Sequence, residues 1–535
     1  MDPKMMFPQD QVTVTDRSET SSIKSEKNVR VAFDPPKRFY WAFVSLSLLA
    51  LGASFSLTSF GIAVVTIAHE FNLAEPKAFW LGSSSALTST LIQPCCACLC
   101  SIFGRKGALG SSAVCLAAGS LLAAVAQDYA TLITGRCIQG IGAGGVSAIT
   151  DIIITDIVPL RFRGQWFAYI GVPWAIGTTV GPIVSGVLTS NSSWRWICGI
   201  NTILCTIAIP PCLFTLPPLP RDPNWRLALR TLDYPGFLFL SASLIALLVP
   251  IMQATTIYPW TSLETLLPLF LGIAGLCLFL FHQAKITKNP LIPLNRFKDR
   301  TCLLTFLCTA LHGLIVWCLM YYLPLYYQAI RNFTALQSGL AVLPETLTIV
   351  PASMAMGFLI GWSGRYRWAI WSGWVLSAGG LALLYLLDED TSTAGWIGIN
   401  VPAGFGMGML FGALGFPIQA CVDAESVPLA VSLFSFWRAF GATLGISIGS
   451  SIFASESKKL PPLQARGVLE GRGGLGFLTM SMGSKLLALR RIWIFCAAVC
   501  GVGLIASFGI QGLSLDEPLG KQDDKSKRRD SDDVV

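Results

Sequence analysis

The sequence predicts an all-α membrane protein of fourteen spans, two six-helix halves with an inserted helix pair between them. Composition is the first reason: 53% of residues are hydrophobic, 13% are charged and the mean hydropathy is +0.61. Soluble domains carry about twice that charge. The second reason is a series of apolar runs, each about 20 residues long and so able to cross a bilayer. The third is a glycine ladder that occurs twice. AIGTTVGPIVSG (175–186) and AFGATLGISIGS (439–450) align at a constant offset, pairing Gly177 with Gly441 and Gly181 with Gly445. Gly177 and Gly181 are four residues apart and share a helix face, where a neighbouring backbone can approach closely. Pro182 kinks or stiffens that span, and Gly186 ends the ladder.

The runs fall at 40–66, 79–100, 107–127, 130–154, 165–188 and 196–216, then 236–255 and 264–284. Six more follow at 302–327, 338–361, 368–388, 395–420, 427–454 and 491–512, with Asp423, Ala424 and Glu425 splitting the stretch 395–454. No cleavable signal is visible in the polar residues 1–38, so the first span is expected to direct its own insertion. The 50 glycines and 30 prolines suit membrane helices, which tolerate both better than helices in water do.

Orientation follows from the alternation of basic loops. Lys37, Arg38, Arg105, Lys106, Arg161, Arg163, Arg221, Arg226 and Arg230 fall on one side, together with Lys285 to Arg300 and with Arg365 and Arg367. The other side has Lys77, Arg195 and Arg331 before the last loop. The basic side is therefore expected to be cytoplasmic, with both termini there. The glycosylation sequons at Asn191 and Asn332 then lie outside, where acceptors must be. The stretch 455–490 fits least well, because it places Lys458, Lys459, Arg466, Arg472 and Lys485 outside.

The expected organisation is a polar tail (1–38), an N-terminal half (39–217), the inserted helices with their loops (218–300), and a C-terminal half (301–455 and 490–513). A long loop (456–489) interrupts that second half, and a charged tail (514–535) follows it. A second echo supports the duplication: Gly104-Arg105-Lys106 follows span 2, and Gly364-Arg365-Tyr366-Arg367 follows span 10. Parallel repeats with a cavity between them allow alternating access.

Other classes are set aside by residue chemistry. Sixteen cysteines sit mostly in apolar runs, and Cys95, Cys96, Cys98 and Cys100 point in several directions on a helix. The three histidines (His69, His282, His312) form no ligand-spaced pair, so no metal and no cofactor is expected. The +8 charge is dispersed in short loops, which excludes a nucleic-acid footprint. No P-loop and no nucleophile–base pair appears, which argues against ATP-driven transport and against an enzyme.

With these motifs in view, the chain resembles the fourteen-span drug:proton antiporter family of the major facilitator superfamily, especially its fungal members. LCSIFGRKGAL (99–109) looks like the family's loop motif and TGRCIQGIGAGG (134–145) like its span 4 motif. GTTVGPIVSG (177–186) looks like the span 5 motif of exporters, while SWRWICGIN (193–201) and GRYRWAIWSGWVL (364–376) resemble further stretches of the fungal group. In the family the matching arginine of span 4 is linked to proton transfer, which the resemblance extends to Arg136, with Gln139 beside it.

Arg136 lies about 9 Å from the outer end of its span at 1.5 Å per residue. A permanent cation there faces the cavity or a partner, or else snorkels to the outer interface. On its position alone, Arg136→Ala removes transport and leaves abundance intact. Glu345, after Pro344 near the start of span 10, either carries a proton or attracts a cationic substrate within apolar surroundings, or sits at the wet outer mouth. Gly104, Arg105, Lys106, Asp156, Arg161 and Arg163 gather at the basic ends of spans 2–5. They can form a gate of re-pairing charges, or the arginines can simply set topology.

Two departures from the family stand out. Ser101 replaces an acid and Ala97 a glycine in the loop motif, and span 1 has Thr58 and Ser59 where an aspartate is usual. Trp317, Tyr321, Tyr322, Tyr326 and Tyr327, with Met354 and Met356, either form an interfacial belt or line a cavity for a bulky amphipathic molecule.

The expected function is secondary export of a toxin, drug or secondary metabolite by alternating access and proton antiport. The expected protein is a multi-pass monomer in the plasma membrane, with the vacuolar membrane as the alternative site. An uptake carrier, for instance for an iron-chelating metabolite, and a non-transporting sensor are the competing readings.

Overall fold

The computed structural model describes residues 35–71, 73, 75–216, 226, 232–254, 258–287, 290–423, 426–457 and 482–513. The tails, most of the long loop and the 424–425 break expected from sequence lie outside the described residues. The first half contains α1 (Lys37–Thr58), α2 (Phe60–Glu70), α3 (Glu75–Ile92), α4 (Cys96–Phe103), α5 (Arg105–Ala124), α6 (Tyr129–Ile157), α7 (Leu160–Asn191) and α8 (Arg195–Thr215). The inserted pair is α9 (Tyr234–Gln253) and α10 (Leu263–Phe281). The second half has α11 (Arg300–Ala329), α12 (Ala335–Ser363), α13 (Arg367–Leu384), α14 (Thr393–Ala413), α15 (Gly415–Ala420), α16 (Val427–Ser457) and α17 (Met482–Phe508).

Among the described residues, 13 helices or helix pairs are long and apolar enough to span a bilayer. The remaining expected span, 368–388, corresponds to α13, which is 18 residues long and opens on Arg367. Its tryptophans, serines and glycines lower its hydropathy, but it packs against both α14 and α17. Three spans expected to be continuous are broken, one of them (395–420) at Leu414 between α14 and α15. Span 1 bends at Ser59 between α1 and α2, and span 2 passes through a 3-10 turn, Gln93–Cys95, where Pro94 removes a helical donor. The last span begins at Met482 rather than near 491. Its early start is compensated at Arg490, which donates to the Tyr385 carbonyl at 3.1 Å and pairs with Asp388 at 3.4 Å. Lys485 is therefore helical.

Packing repeats from one half to the other. The N-terminal pairs α1–α7, α1–α8, α3–α6, α5–α6 and α5–α8 recur as α11–α16, α11–α17, α12–α14, α13–α14 and α13–α17. The repeated ladders explain part of this. A side chain at Gly177 would strike the Leu51 carbonyl of α1, and one at Gly441 the Ala310 carbonyl of α11. A side chain at Gly445 would likewise strike the Leu314 carbonyl, and one at Gly181 would meet the Thr58 hydroxyl. Pro182 is accommodated inside α7, which also contains Pro173. Gly104 and Gly364, the echoed loop glycines, both have positive φ (76° and 67°), a backbone that a side chain rarely adopts.

The halves meet along α7–α12 and where α16 crosses α3, α4 and α6. The inserted pair packs on itself and leans on α3 and α16. Asp233 caps α9 through the Gly236 N–H (2.8 Å) and accepts a 2.5 Å bond from Gln283. On the basic side one apolar cluster contains both Leu46, Cys100 and Ile153 of the first half and Cys302, Ile418 and Val431 of the second. Towards the opposite side the clusters separate: Phe60, Ile67 and Trp194 belong to one, and Leu319, Tyr326 and Trp396 to another.

At that opposite end Glu70 accepts from Trp194 (2.6 Å) and Arg195 (2.9 Å). Burial opposes its ionisation, but the Trp194 and Arg195 hydrogen bonds and the Arg195 charge outweigh it and hold the carboxyl below its usual 4.5. A depressed value stabilises the fold above the unfolded pKa and ceases to do so as pH falls through the folded one. Glu70→Gln is expected to cost less than about 1 kcal/mol at pH 7, because the pair is screened by solvent. The variant should lose less stability than wild type below pH 4.5. Thermal unfolding of detergent-solubilised protein across pH checks this, and matching acid limbs would contradict it.

Candidate functional site

Arg136 is fully buried inside the first half. Its Nε donates to the Leu81 carbonyl at 3.1 Å, Nη1 to the Ser56 carbonyl at 3.0 Å and to Gln139 Oε1, and Nη2 to Ser85 Oγ at 2.6 Å. The Phe60 ring lies over the guanidinium at 4.0 Å. Gln139 passes the network on, donating to Ser120 Oγ at 2.7 Å, which also accepts from Asn201 at 2.8 Å. Arg136 therefore neither snorkels nor opens on the space between the halves. It ties α1, α2, α3 and α6 together, and among the described residues no carboxylate is paired with it.

Glu345 lies ten residues into α12, about 15 Å along the helix axis, deeper than its place in the expected span suggests. The reason is an earlier helix start: Thr334 and Gln337 form a reciprocal capping box ahead of the first apolar residues. The carboxyl is wholly buried, which removes the wet-mouth reading, and neither oxygen has a partner among the described residues. Nearby, Asn400 donates to Tyr327 Oη at 2.6 Å and to the Ala341 carbonyl at 3.5 Å.

The duplication relates these two places. Gly140 of α6 faces the Ser85 carbonyl, and Gly404 of α14 faces the Glu345 carbonyl. One turn on, Gly144 and Gly408 face Ser89 and Ile349 in the same manner. By that registration Asn400 stands where Arg136 stands, Ala341 where Leu81 stands, and Glu345 where Ser85 stands. One half holds a buried cation at this level and the other a buried acid.

At the basic ends Arg105 Nε pairs with Asp156 Oδ2 at 2.9 Å. Arg163 donates to the Thr155 carbonyl (2.5 Å), the Val158 carbonyl (2.8 Å) and, across the halves, to Gln419 Oε1 of α15 (2.8 Å). Lys106 lies half-buried beside Arg105 and joins no salt bridge among the described residues. Gly164 and Gly357 bring α7 and α12 into backbone contact at the same end. Ser432 reaches the Gln93 carbonyl across the seam.

The substituted positions have packing roles. Thr58 Oγ1 donates to the Ser54 carbonyl (3.2 Å) and the Gly177 carbonyl (3.4 Å), so it ties span 1 to the ladder. Ser59 is buried, and Ser101 is exposed with its hydroxyl on the Cys98 carbonyl at 2.8 Å. Asn191 and Asn332 are both exposed at the end opposite the basic loops. The span 9 tyrosines split: Tyr321 is exposed, whereas Tyr322, Tyr326 and Tyr327 fill the core of the second half. Tyr322 and Tyr326 direct their hydroxyls to the Ile446 and Asp388 carbonyls. They hold α11 in place rather than line a cavity. No group of three or more metal-ligating side chains occurs among the described residues.

A charge pair that sequence reasoning passed over bridges the halves. Asp151 of α6 meets Arg438 of α16 at 3.5 Å and accepts from Ser435 Oγ at 2.7 Å. Both charges stand inside apolar runs, which was the available signal.

Two bundles related by internal repetition, with charged side chains facing each other across their seam, have the architecture of a membrane transporter. The chain belongs to the Major Facilitator Superfamily, whose family model matches residues 45–446. It is 36% identical to "MFS transporter L2" of a Phoma species, over 98% of this chain and 90% of that protein. It is 34% identical to "MFS-type efflux pump MMF1" of Pseudozyma antarctica, over 79% of each. It is 30% identical to the "Acurin A biosynthesis cluster MFS-type transporter" of Aspergillus aculeatus, over 91% of this chain and 92% of that one. Among solved structures, the proton:xylose symporter XylE superposes with a TM-score of 0.56 at 15% identity, over 91% of this chain and 99% of the other, a likeness of fold.

Proposed function

We propose that this transporter exports a small organic metabolite or toxin by proton antiport, with its basic side in the cytoplasm of a plasma-membrane protein. Glu345 carries the proton reading: it is a wholly buried carboxyl with both oxygens unpartnered among the described residues. An ionised carboxylate there gives up its hydration and receives no cation in exchange, so occupancy by a proton is the state this packing suits. Rocking of the halves would expose Glu345 to one side and then the other, and the proton taken up outside would be released inside. The joined apolar cluster on the basic side corresponds to the outward-facing arrangement. Export, rather than uptake, is supported by the span 5 ladder packed on α1 and by the relative described as an efflux pump.

The test is a deletion strain examined by untargeted mass spectrometry of cells and medium. A compound should accumulate inside and fall outside, with reversal by the intact gene but not by Glu345→Gln. An unchanged metabolite profile would overturn export in favour of import or sensing.

A further inference from the structure

Arg136, Arg163 and Arg438 are buried or half-buried arginines that differ in how far their donors are used. A guanidinium has five N–H donors. Arg136 spends its donors on four acceptors in its own half, and Arg163 on three around the basic gate. Arg438 makes one hydrogen bond among the described residues, the 3.5 Å contact with Asp151. Its side chain stays 22% exposed and that of Asp151 11%.

Arg438 is eleven residues into α16, about 16 Å from the basic end, and so well inside the bilayer. Its neighbours come from both halves: Asp151 from α6, and Phe411 from α14, whose ring also approaches His312 of α11. The guanidinium therefore sits at the seam between the halves, in contact with side chains of both. The rings of Phe411 and Phe434 lie 4.8 and 4.9 Å from it and wall the site with apolar surface. His312 has its Nε2 engaged with the Met407 carbonyl at 3.1 Å. A desolvated cation with spare, forked donors, aromatic walls and one loosely held internal anion has the chemistry to bind a carboxylate.

We propose that Arg438 binds the acid group of the transported molecule, a carboxylate on an amphipathic organic compound, and that Asp151 is the internal anion this group displaces. Phe411 and Phe434 receive the adjoining hydrocarbon. Because the pairing with Asp151 belongs to the closed basic side, the acid group binds while that side is open, and re-formation of the pair as α6 and α16 close displaces it outward. The assignment rests on the transporter reading and names its substrate class.

Binding can be tested without transport. Purified full-length protein in lipid nanodiscs is titrated with pyrenebutyrate and with its methyl ester, read by quenching of tryptophan emission, with Trp437 adjacent to the site. The acid should bind saturably and more tightly than the ester. Arg438→Gln should weaken the acid about tenfold or more and leave the ester unchanged, a factor of ten being about 1.4 kcal/mol. Asp151→Asn, which removes the competing anion, should tighten the acid. No saturable binding of the acid, equal binding of acid and ester, or unchanged acid binding in Arg438→Gln would overturn the proposal; so would an Asp151→Asn variant that binds the acid no better. An unchanged metabolite profile in the deletion strain, with acid binding intact, would remove the exporter reading and leave this site standing.

Discussion

Arg136→Ala is expected to abolish transport and to destabilise the protein by about 3 kcal/mol or more, since it leaves buried acceptors on three helices unsatisfied. Four acceptors lose their donor: the Leu81 and Ser56 carbonyls, Ser85 Oγ and Gln139 Oε1. The Phe60 ring loses the cation beneath it. Abundance should therefore fall together with activity, contrary to what the position alone suggests. Arg136→Lys should recover part of the stability, because an ammonium keeps the charge but cannot reach acceptors spread along a planar fork. Thermal unfolding of the purified variants, beside uptake into inverted vesicles, measures both effects. An Arg136→Ala protein as stable as wild type would show that the network is not a latch.

Glu345→Gln is expected to fold normally and to lose the transport that a pH gradient drives. Glutamine matches the shape of the protonated acid, so the packing around Gly404 and Asn400 is retained. It cannot release a proton, so coupling at this site is lost. Vesicles with and without an imposed gradient provide the comparison. A variant that still responds to the gradient as wild type does would exclude Glu345 from coupling.

Much of the architecture was legible because membrane helices announce themselves by length and apolarity, and because the chain repeats itself. The span series, the paired ladders and the echoed Gly104 and Gly364 all rest on local sequence. What local reading missed depends on depth and on contacts distant along the chain. Glu345 looked closer to the surface because Thr334 and Gln337 start α12 ahead of the apolar run. Tyr322, Tyr326 and Tyr327 looked available to cargo because nothing in their spacing distinguishes a core face from a cavity face. Asp151 and Arg438 stand far apart in sequence, so their pairing appears only when the halves are assembled.

The registration of Arg136 with Asn400 and of Ser85 with Glu345 has a mechanical consequence. The first half is cross-braced at this level by a hydrogen-bonded network from α1 to α6, and the second half at the matching level contains an acid whose oxygens have no partner among the described residues. Two bodies descended from one plan thus differ in compliance. If Glu345 exchanges a proton as proposed, the braced half is the stator and the other is the half whose internal packing yields. Amide exchange should accordingly be slower along α3 and α6 than along α12 and α14, even though the four helices occupy equivalent places in the duplicated fold.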